Sequence, residues 1–160
     1  DSMRTEVYFS LGSNVGDCRA TLQRAIALMQ EEFTSLDGSP RPPVAVSSFI
    51  ETPPWGFDAD TSFINCAVRF DLDASCRDIL ASCQKIERQL GRPAHDPLFD
   101  PAGNRIYTSR SIDIDIIFYG VESISGPGLT VPHPLWRQRP FVIEPLLEII
   151  SPFIRTHFCL

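Results

Sequence analysis

Asp113 and Asp115 stand in the run Ser109-Arg110-Ser111-Ile112-Asp113-Ile114-Asp115-Ile116-Ile117-Phe118-Tyr119-Gly120. β-Branched and aromatic residues crowd this run and Gly120 punctuates its end, which predicts a β-strand. Side chains alternate faces along a strand. The two carboxylates therefore point one way, about 7 Å apart by strand rise, while Ile112, Ile114 and Ile116 point the other. From Ile116 to Tyr119 both faces turn apolar, the pattern of a strand buried on both sides. Carboxylates so placed either face water at the exposed end of the strand or share a divalent cation, because like charges this close repel unless something positive lies between them. Hard carboxylate oxygens suit magnesium, which binds through one or two carboxylates and completes its shell with water and substrate phosphates.

Arginines gather around this pair where the chain is irregular. Arg92, Arg105 and Arg110 flank or lie within the segment before the strand, and His133, Arg137 and Arg139 follow it. Each taken singly reads as a solvated surface residue. Together with the aspartates they supply what phosphoryl transfer demands, a metal clamp plus guanidinium groups for the non-bridging oxygens. A P-loop is absent: no GxxxxGK[ST] occurs, and the single lysine, Lys85, lies mid-helix. GxGxxG is absent too, and Gly12-Ser13-Asn14-Val15-Gly16 reads most simply as a strand-to-helix turn. Phe63 and Asn65 share a strand face, an aromatic beside an amide, which serves as edge packing or as a seat for a flat, hydrogen-bonding heterocycle.

The elements that must position these residues follow from hydrophobic period and punctuation. Thr5–Asn14 reads as a strand running into the glycine turn. Asp17 caps the next helix, with Leu22, Ile26, Met29 and Phe33 as its apolar stripe. Val44–Glu51 reads as a second strand, stopped by Thr52-Pro53-Pro54-Trp55-Gly56, and Ser62–Asp73 as a third. Ser75 and Asp78 form a capping box for a helix with Ile79, Leu80, Cys83, Ile86 and Leu90 on one stripe, closing at Gly91. Glu87 falls inside that stripe, at its margin or with a buried partner such as an arginine. Residues 93–109, rich in Pro, Gly and Asp, form a long connection of the kind that serves as a lid or stays without fixed structure. The strand with the aspartates comes next, then a loop, Leu129–Pro140 and the apolar Phe141–Ile150. The order β-α-β-β-α-β predicts a ferredoxin-like α+β sandwich, a mainly antiparallel sheet with helices packed on it.

Totals set the frame. A chain of 160 residues, 43% hydrophobic and 21% charged, reads as one globular domain, residues 1–160. The formal net charge of −6 speaks against a nucleic-acid partner, which requires a basic face. No apolar run reaches the length of a membrane span and no signal peptide opens the sequence. The five cysteines are odd in number and form no CxxC pair, so packed thiols in a reducing compartment are expected rather than disulfides or zinc. Arginine supplies 13 of the 14 basic residues, in keeping with bidentate phosphate contacts.

Seven stretches, LGSNVGD, SSFIETPPWG, FINCAV, IERQLGR, RSIDIDIIFYG, LTVPHPLWRQRPFV and EPLLEI, occur in this order across nearly the whole chain. In them the sequence resembles the 6-hydroxymethyl-7,8-dihydropterin pyrophosphokinase family, folate-pathway enzymes that move the β,γ-pyrophosphoryl group of ATP onto a pterin alcohol. The resemblance implies a cytoplasmic enzyme, or a mitochondrial one within a eukaryotic fused enzyme, with dihydropteroate synthase or dihydroneopterin aldolase as fusion partners. It implies two magnesium ions on Asp113 and Asp115, with these aspartates, Arg92 and Arg110 as the catalytic set. Phe63 and Phe141 would sandwich the pterin, with Asn65, Thr52, Pro53 and Trp55 at its edge. Gln84, Glu87, Arg92, Arg110, Ile116, Thr130, His133 and Arg139 would contact ATP. Three positions depart from the family pattern: Ile106, Thr108 and Ser109 stand where a basic residue, a small residue and proline usually precede the arginine. Pro134 follows His133 where an aromatic is common, and the 93–109 connection is longer than in compact bacterial forms.

Two other classes share parts of this pattern. A non-catalytic ferredoxin-like module, RNA-binding for instance, would show basic residues and exposed aromatics on its strands. A magnesium-dependent nucleotidyl transferase would release inorganic pyrophosphate where a pyrophosphokinase releases AMP.

Overall fold

The alternation in Thr-Glu-Val-Tyr-Phe-Ser-Leu-Gly-Ser builds the central strand, β1 (Thr5–Ser13), whose Val7, Phe9 and Leu11 face one side and Tyr8, Ser10 and Gly12 the other. The computed structural model describes residues 4–14, 16–52, 63–91, 101–102 and 112–160. Helix α1 (Cys18–Asp37) follows β1, and two short strands, β2 (Ala45–Val46) and β3 (Ile50–Thr52), lead to β4 (Phe63–Leu72). β4 pairs antiparallel with the full length of β1. Helix α2 (Cys76–Gly91) then leads to β5 (Asp113–Tyr119), antiparallel on the other side of β1. With β2 and β3 both paired to the outer side of β4, the order is β2/β3–β4–β1–β5, all antiparallel. This is the α+β arrangement expected from the element order.

Helices α1 and α2 cover one face. Asp17 Oδ1 accepts from the Ala20 N–H at 3.1 Å, the predicted cap, and Leu22, Met29 and Phe33 of the predicted stripe are buried. Ser75 Oγ accepts from the Asp78 N–H at 3.1 Å, and Ile79, Cys83 and Ile86 are buried. The centre of this core is aromatic: Phe33 stacks on Phe9 with centroids 5.4 Å apart and meets Phe70 edge-on at 4.9 Å. Each such ring stabilises the fold by about 1.5–3 kcal/mol through burial. Truncating Phe33 would open a void between α1 and two strands at once.

Among the described residues the opposite face is covered at one end only. Helix α3 (Pro140–Ile149), the short α4 (Pro152–His157) and Trp136 close over Tyr8, Ala67, Ile117 and Phe118 in a second core. Phe118 lies between Trp136, edge-on at 4.9 Å, and Phe158, stacked at 4.5 Å. Ile117 reaches this core together with its neighbour because the β1–β5 register shifts here: Phe9 faces Ile116 while Tyr8 faces Phe118. Ile117 is therefore the extra residue of a β-bulge, and the alternation of faces resets after it.

Two expectations change. Val44–Glu51 does not form one strand. It breaks at Ser47, whose N–H donates to the Ala67 carbonyl at 2.9 Å while its Oγ accepts from the Ala67 N–H at 2.8 Å. A side-chain oxygen thus takes the place of a ladder carbonyl, and the strand divides into β2 and β3. After β5 the chain forms a small hairpin, β6 (Ile124–Gly126) with β7 (Leu129–Val131), and then α3 and α4, which the apolar run alone did not assign to helix or strand. Of the long 93–109 connection, all but residues 101–102 lie outside the described residues.

Candidate active site

Where α3 stops covering the sheet, short side chains floor a cavity of about 410 Å³. Three neighbouring strands supply the floor in register: Gly12 of β1 has Asn65 of β4 on one side and Asp113 of β5 on the other, and Ser10 lies opposite Asp115. Phe63, Thr52 and the start of α3, with Arg139, Phe141 and Val142, complete the lining. Asp113 and Asp115 thus share one face and one cavity, as their spacing predicts. Asn65 is a buried amide, 6% exposed, and its Nδ2 reaches the Leu11 carbonyl only at 3.5 Å. Its hydrogen-bonding capacity remains largely available to a ligand. The Arg139 guanidinium sits 5.8 Å from the Phe141 ring centroid, within cation–π range.

A second cavity of about 310 Å³ opens at the edge of β5. Leu80 of α2 forms one wall and Gly126, Gly128, Leu129 and Thr130 of the β6–β7 hairpin another, with Ile116, His133 and Pro134 beside them. Asp115 lines both cavities. His133 is fixed by its backbone, whose N–H donates to the Ile117 carbonyl at 3.2 Å. Its Nδ1 accepts from the Leu135 N–H at 3.3 Å, so the neutral ring carries its proton on Nε2.

Glu87, the carboxylate inside an apolar stripe, reaches the edge strand: its Oε2 accepts from the Ile114 N–H at 2.9 Å. Among the described residues β5 is an edge strand, and this bond holds its N–H at the residue between the two aspartates. This backbone amide is one partner of Glu87 among the described residues, and Arg92 and Arg110 lie outside them.

The structure brings Thr52, Phe63, Asn65, Asp113, Asp115, Arg139 and Phe141 together in the first cavity, and Ile116, Thr130 and His133 in the second. Arg139 stands with the aromatic pair rather than beside His133. Gln84 is exposed on α2 and lines neither cavity, and Glu87 acts on the strand rather than lining a cavity. Pro53, Trp55, Arg92 and Arg110 lie outside the described residues.

Among the described residues no three His, Cys, Asp or Glu side chains gather as a metal cluster. Asp113 and Asp115 both line the first cavity, and two carboxylates would suit magnesium, an ion that fills the rest of its shell with water and phosphate oxygens. The cysteines are free. Burial pushes Cys66 up to about 12 and Cys76 up to about 11, and raises Cys83 well above the ordinary thiol range. They stay protonated packing groups rather than nucleophiles.

A sequence profile described as 7,8-dihydro-6-hydroxymethylpterin-pyrophosphokinase matches residues 8–151. The chain belongs to this family. A Porphyromonas gingivalis protein named 2-amino-4-hydroxy-6-hydroxymethyldihydropteridine pyrophosphokinase is 37% identical over 144 residues, 89% of each chain. A Bacillus subtilis protein of the same name is 33% identical over 147 residues, 92% of this chain and 79% of its own. The "Folate synthesis bifunctional protein, mitochondrial" of Pisum sativum is 34% identical over 149 residues, which are 93% of this chain but 26% of the pea protein.

The span matched by the pyrophosphokinase family takes in every described residue of both cavities. Motif reading missed Ser10 and Gly12, although the period of two in Tyr-Phe-Ser-Leu-Gly-Ser places them on the face opposite Phe9 and Leu11. It also missed Leu80 and the hairpin glycines. Leu80 counts as core by helical period, and only tertiary packing turns it toward a cavity.

Proposed function

We propose a division of labour between the two cavities for the reaction that defines the family: the chain moves the β,γ-pyrophosphoryl group of ATP onto 6-hydroxymethyl-7,8-dihydropterin, in folate biosynthesis. The first cavity takes the pterin. Phe63 and Phe141 supply flat apolar walls, and Asn65 and Thr52 supply donors and acceptors for the edge of the heterocycle. The second takes the nucleoside part of ATP, with Ile116, Leu80 and Leu129 as apolar walls and Thr130 and His133 as polar contacts. One observation carries this reading: Asp115 lines both cavities. The pterin hydroxymethyl oxygen and the β-phosphorus can then meet beside a single carboxylate pair.

In the transfer, the hydroxymethyl oxygen forms a bond to the β-phosphorus as the bond from that phosphorus to the oxygen bridging it to the α-phosphorus breaks. The hydroxyl proton passes to solvent and AMP leaves. Asp113 and Asp115 would hold magnesium, two ions by family resemblance, which would neutralise the phosphate charge. Glu87 keeps the strand segment between them in place through the Ile114 N–H. Arg139 faces the reacting group from the α3 side, and Arg92 and Arg110 are assigned to the phosphates on family resemblance alone.

We assign residues 1–160 to a single pyrophosphokinase domain. No helix among the described residues is long and apolar enough to cross a membrane. A cytoplasmic location is the simplest assignment, and a mitochondrial one applies if the chain is part of a fused enzyme like the pea relative.

The test is direct. Mixing the protein with ATP, magnesium and 6-hydroxymethyl-7,8-dihydropterin should yield AMP and the pterin diphosphate. Release of inorganic pyrophosphate with a nucleotidylated pterin would assign a nucleotidyl transferase instead.

A further inference from the structure

Arg77 occupies the second position of α2, where a cation opposes the helix dipole. Local helix energetics therefore give no reason for an arginine here. Its contacts do. Nη1 donates to the Pro127 carbonyl at 2.8 Å, and a Cβ added to Gly126 would lie 2.6 Å from Nη2. Gly126 has no left-handed backbone angle, so its missing side chain makes room for the guanidinium rather than for a turn. Arg77 thus packs on the tip of the β6–β7 hairpin and hydrogen-bonds it.

That hairpin is a wall of the second cavity, through Gly126, Gly128, Leu129 and Thr130, and the facing wall is Leu80, three residues after Arg77 on the same helix. The base of the hairpin runs into His133, which is tied to β5 at Ile117. The tip is tied to α2 by Arg77. The two walls therefore belong to elements that Arg77 joins.

We propose that Arg77 is a positioning residue for the nucleotide, a clasp that sets the width of the cavity by holding the hairpin against α2. This rests on the assignment of that cavity to ATP. Arg77 is not among the residues lining the cavity and acts through Gly126 and Pro127. With the clasp removed, the hairpin tip moves more freely from α2, and the nucleotide must restrain that motion on binding.

The experiment measures binding of an ATP analogue with a methylene bridge between the α- and β-phosphorus atoms, in magnesium, and binding of 6-hydroxymethyl-7,8-dihydropterin at saturating analogue. Arg77→Ala should lose about fivefold to tenfold in analogue affinity, the scale of one exposed hydrogen bond, with pterin affinity within about twofold. Arg77→Lys should recover part of the loss, because an ammonium can still donate to the Pro127 carbonyl. Gly126→Ala meets only the flexible end of Arg77, which can shift, so it should cost at most about twofold in the parent protein and nothing further on top of Arg77→Ala. Unchanged analogue affinity in Arg77→Ala, equal losses for analogue and pterin, or additive effects of the two substitutions overturn the clasp. A parent protein that binds no analogue overturns the nucleotide assignment, and the clasp with it.

Discussion

A Cβ on Gly12 would lie 2.6 Å from Nδ2 of Asn65, so the amide occupies the space that any side chain on the neighbouring strand would fill. Gly12 has no left-handed backbone angle, and alanine fits its backbone. The entropy alanine saves is opposed by displacement of a buried amide, so Gly12→Ala should leave stability unchanged or lower it by about 1 kcal/mol. Asn65 must move, and pterin affinity should fall by about 1–2 kcal/mol, the scale of a misaligned buried polar group. Calorimetric titration reads this directly. Unaltered pterin affinity would show that Asn65 does not read the heterocycle.

Asp113→Ala and Asp115→Ala should each abolish turnover, because one remaining ligand leaves the ATP phosphates insufficiently neutralised. Thermal stability should hold or rise as the repulsion between the carboxylates is relieved. A variant that keeps more than about a tenth of the parent rate, a barrier change under about 1.4 kcal/mol, would rule out the shared metal site.

The aromatic pair should govern the pterin and leave ATP alone. Phe63→Ala and Phe141→Ala should each weaken pterin binding by about 1–3 kcal/mol, the scale of stacking on a flat heterocycle. Equal losses for the ATP analogue would move the pterin elsewhere.

Glu148 fastens α3 to the break between β2 and β3: Ser48 donates its N–H to Oε1 at 2.8 Å and its hydroxyl to Oε2 at 2.6 Å. These bonds hold the carboxyl below its ordinary range. A group depressed in the folded state stabilises above its unfolded value and loses that contribution as pH falls through the folded one. The site is exposed, so the contribution is about 0.5 kcal/mol after screening. Urea midpoints measured down the acid limb should fall less steeply for Glu148→Gln than for the parent. Identical limbs would show that the bonds do not persist in solution.

The parts legible in the sequence were those that depend on local rules. Asp17 and Ser75 cap the helices they were expected to cap, and the alternation around Asp113 and Asp115 puts both on one face. What the sequence hid depends on partners far along the chain. Ser47 breaks a strand because its hydroxyl meets the Ala67 amide, and an apolar pattern holds no sign of that exchange. Glu87 looked misplaced until its bond from the Ile114 N–H was seen. Gly12 read as part of a turn motif, while its role as an open floor tile depends on Asn65 and Asp113 on either side. The second cavity joins Leu80 to Thr130 across the edge of β5, and no local signal links them.

The bulge at Ile117 has a mechanical consequence for the cavity at the other end of β5. By resetting the alternation it sends two adjacent large side chains, Ile117 and Phe118, toward α3 and α4. At the opposite end of the same face stand Gly12, Ser10 and the two aspartates. The strand therefore works as a wedge, thick where the layers are bolted together and thin where they part. The gap is propped open by the packed end before any ligand arrives, and a flat molecule entering it need not pry the layers apart. Pre-organisation of this kind removes a reorganisation cost from binding. It also means that the openness of the site is set some distance away, by the bulk of residues that never touch the ligand.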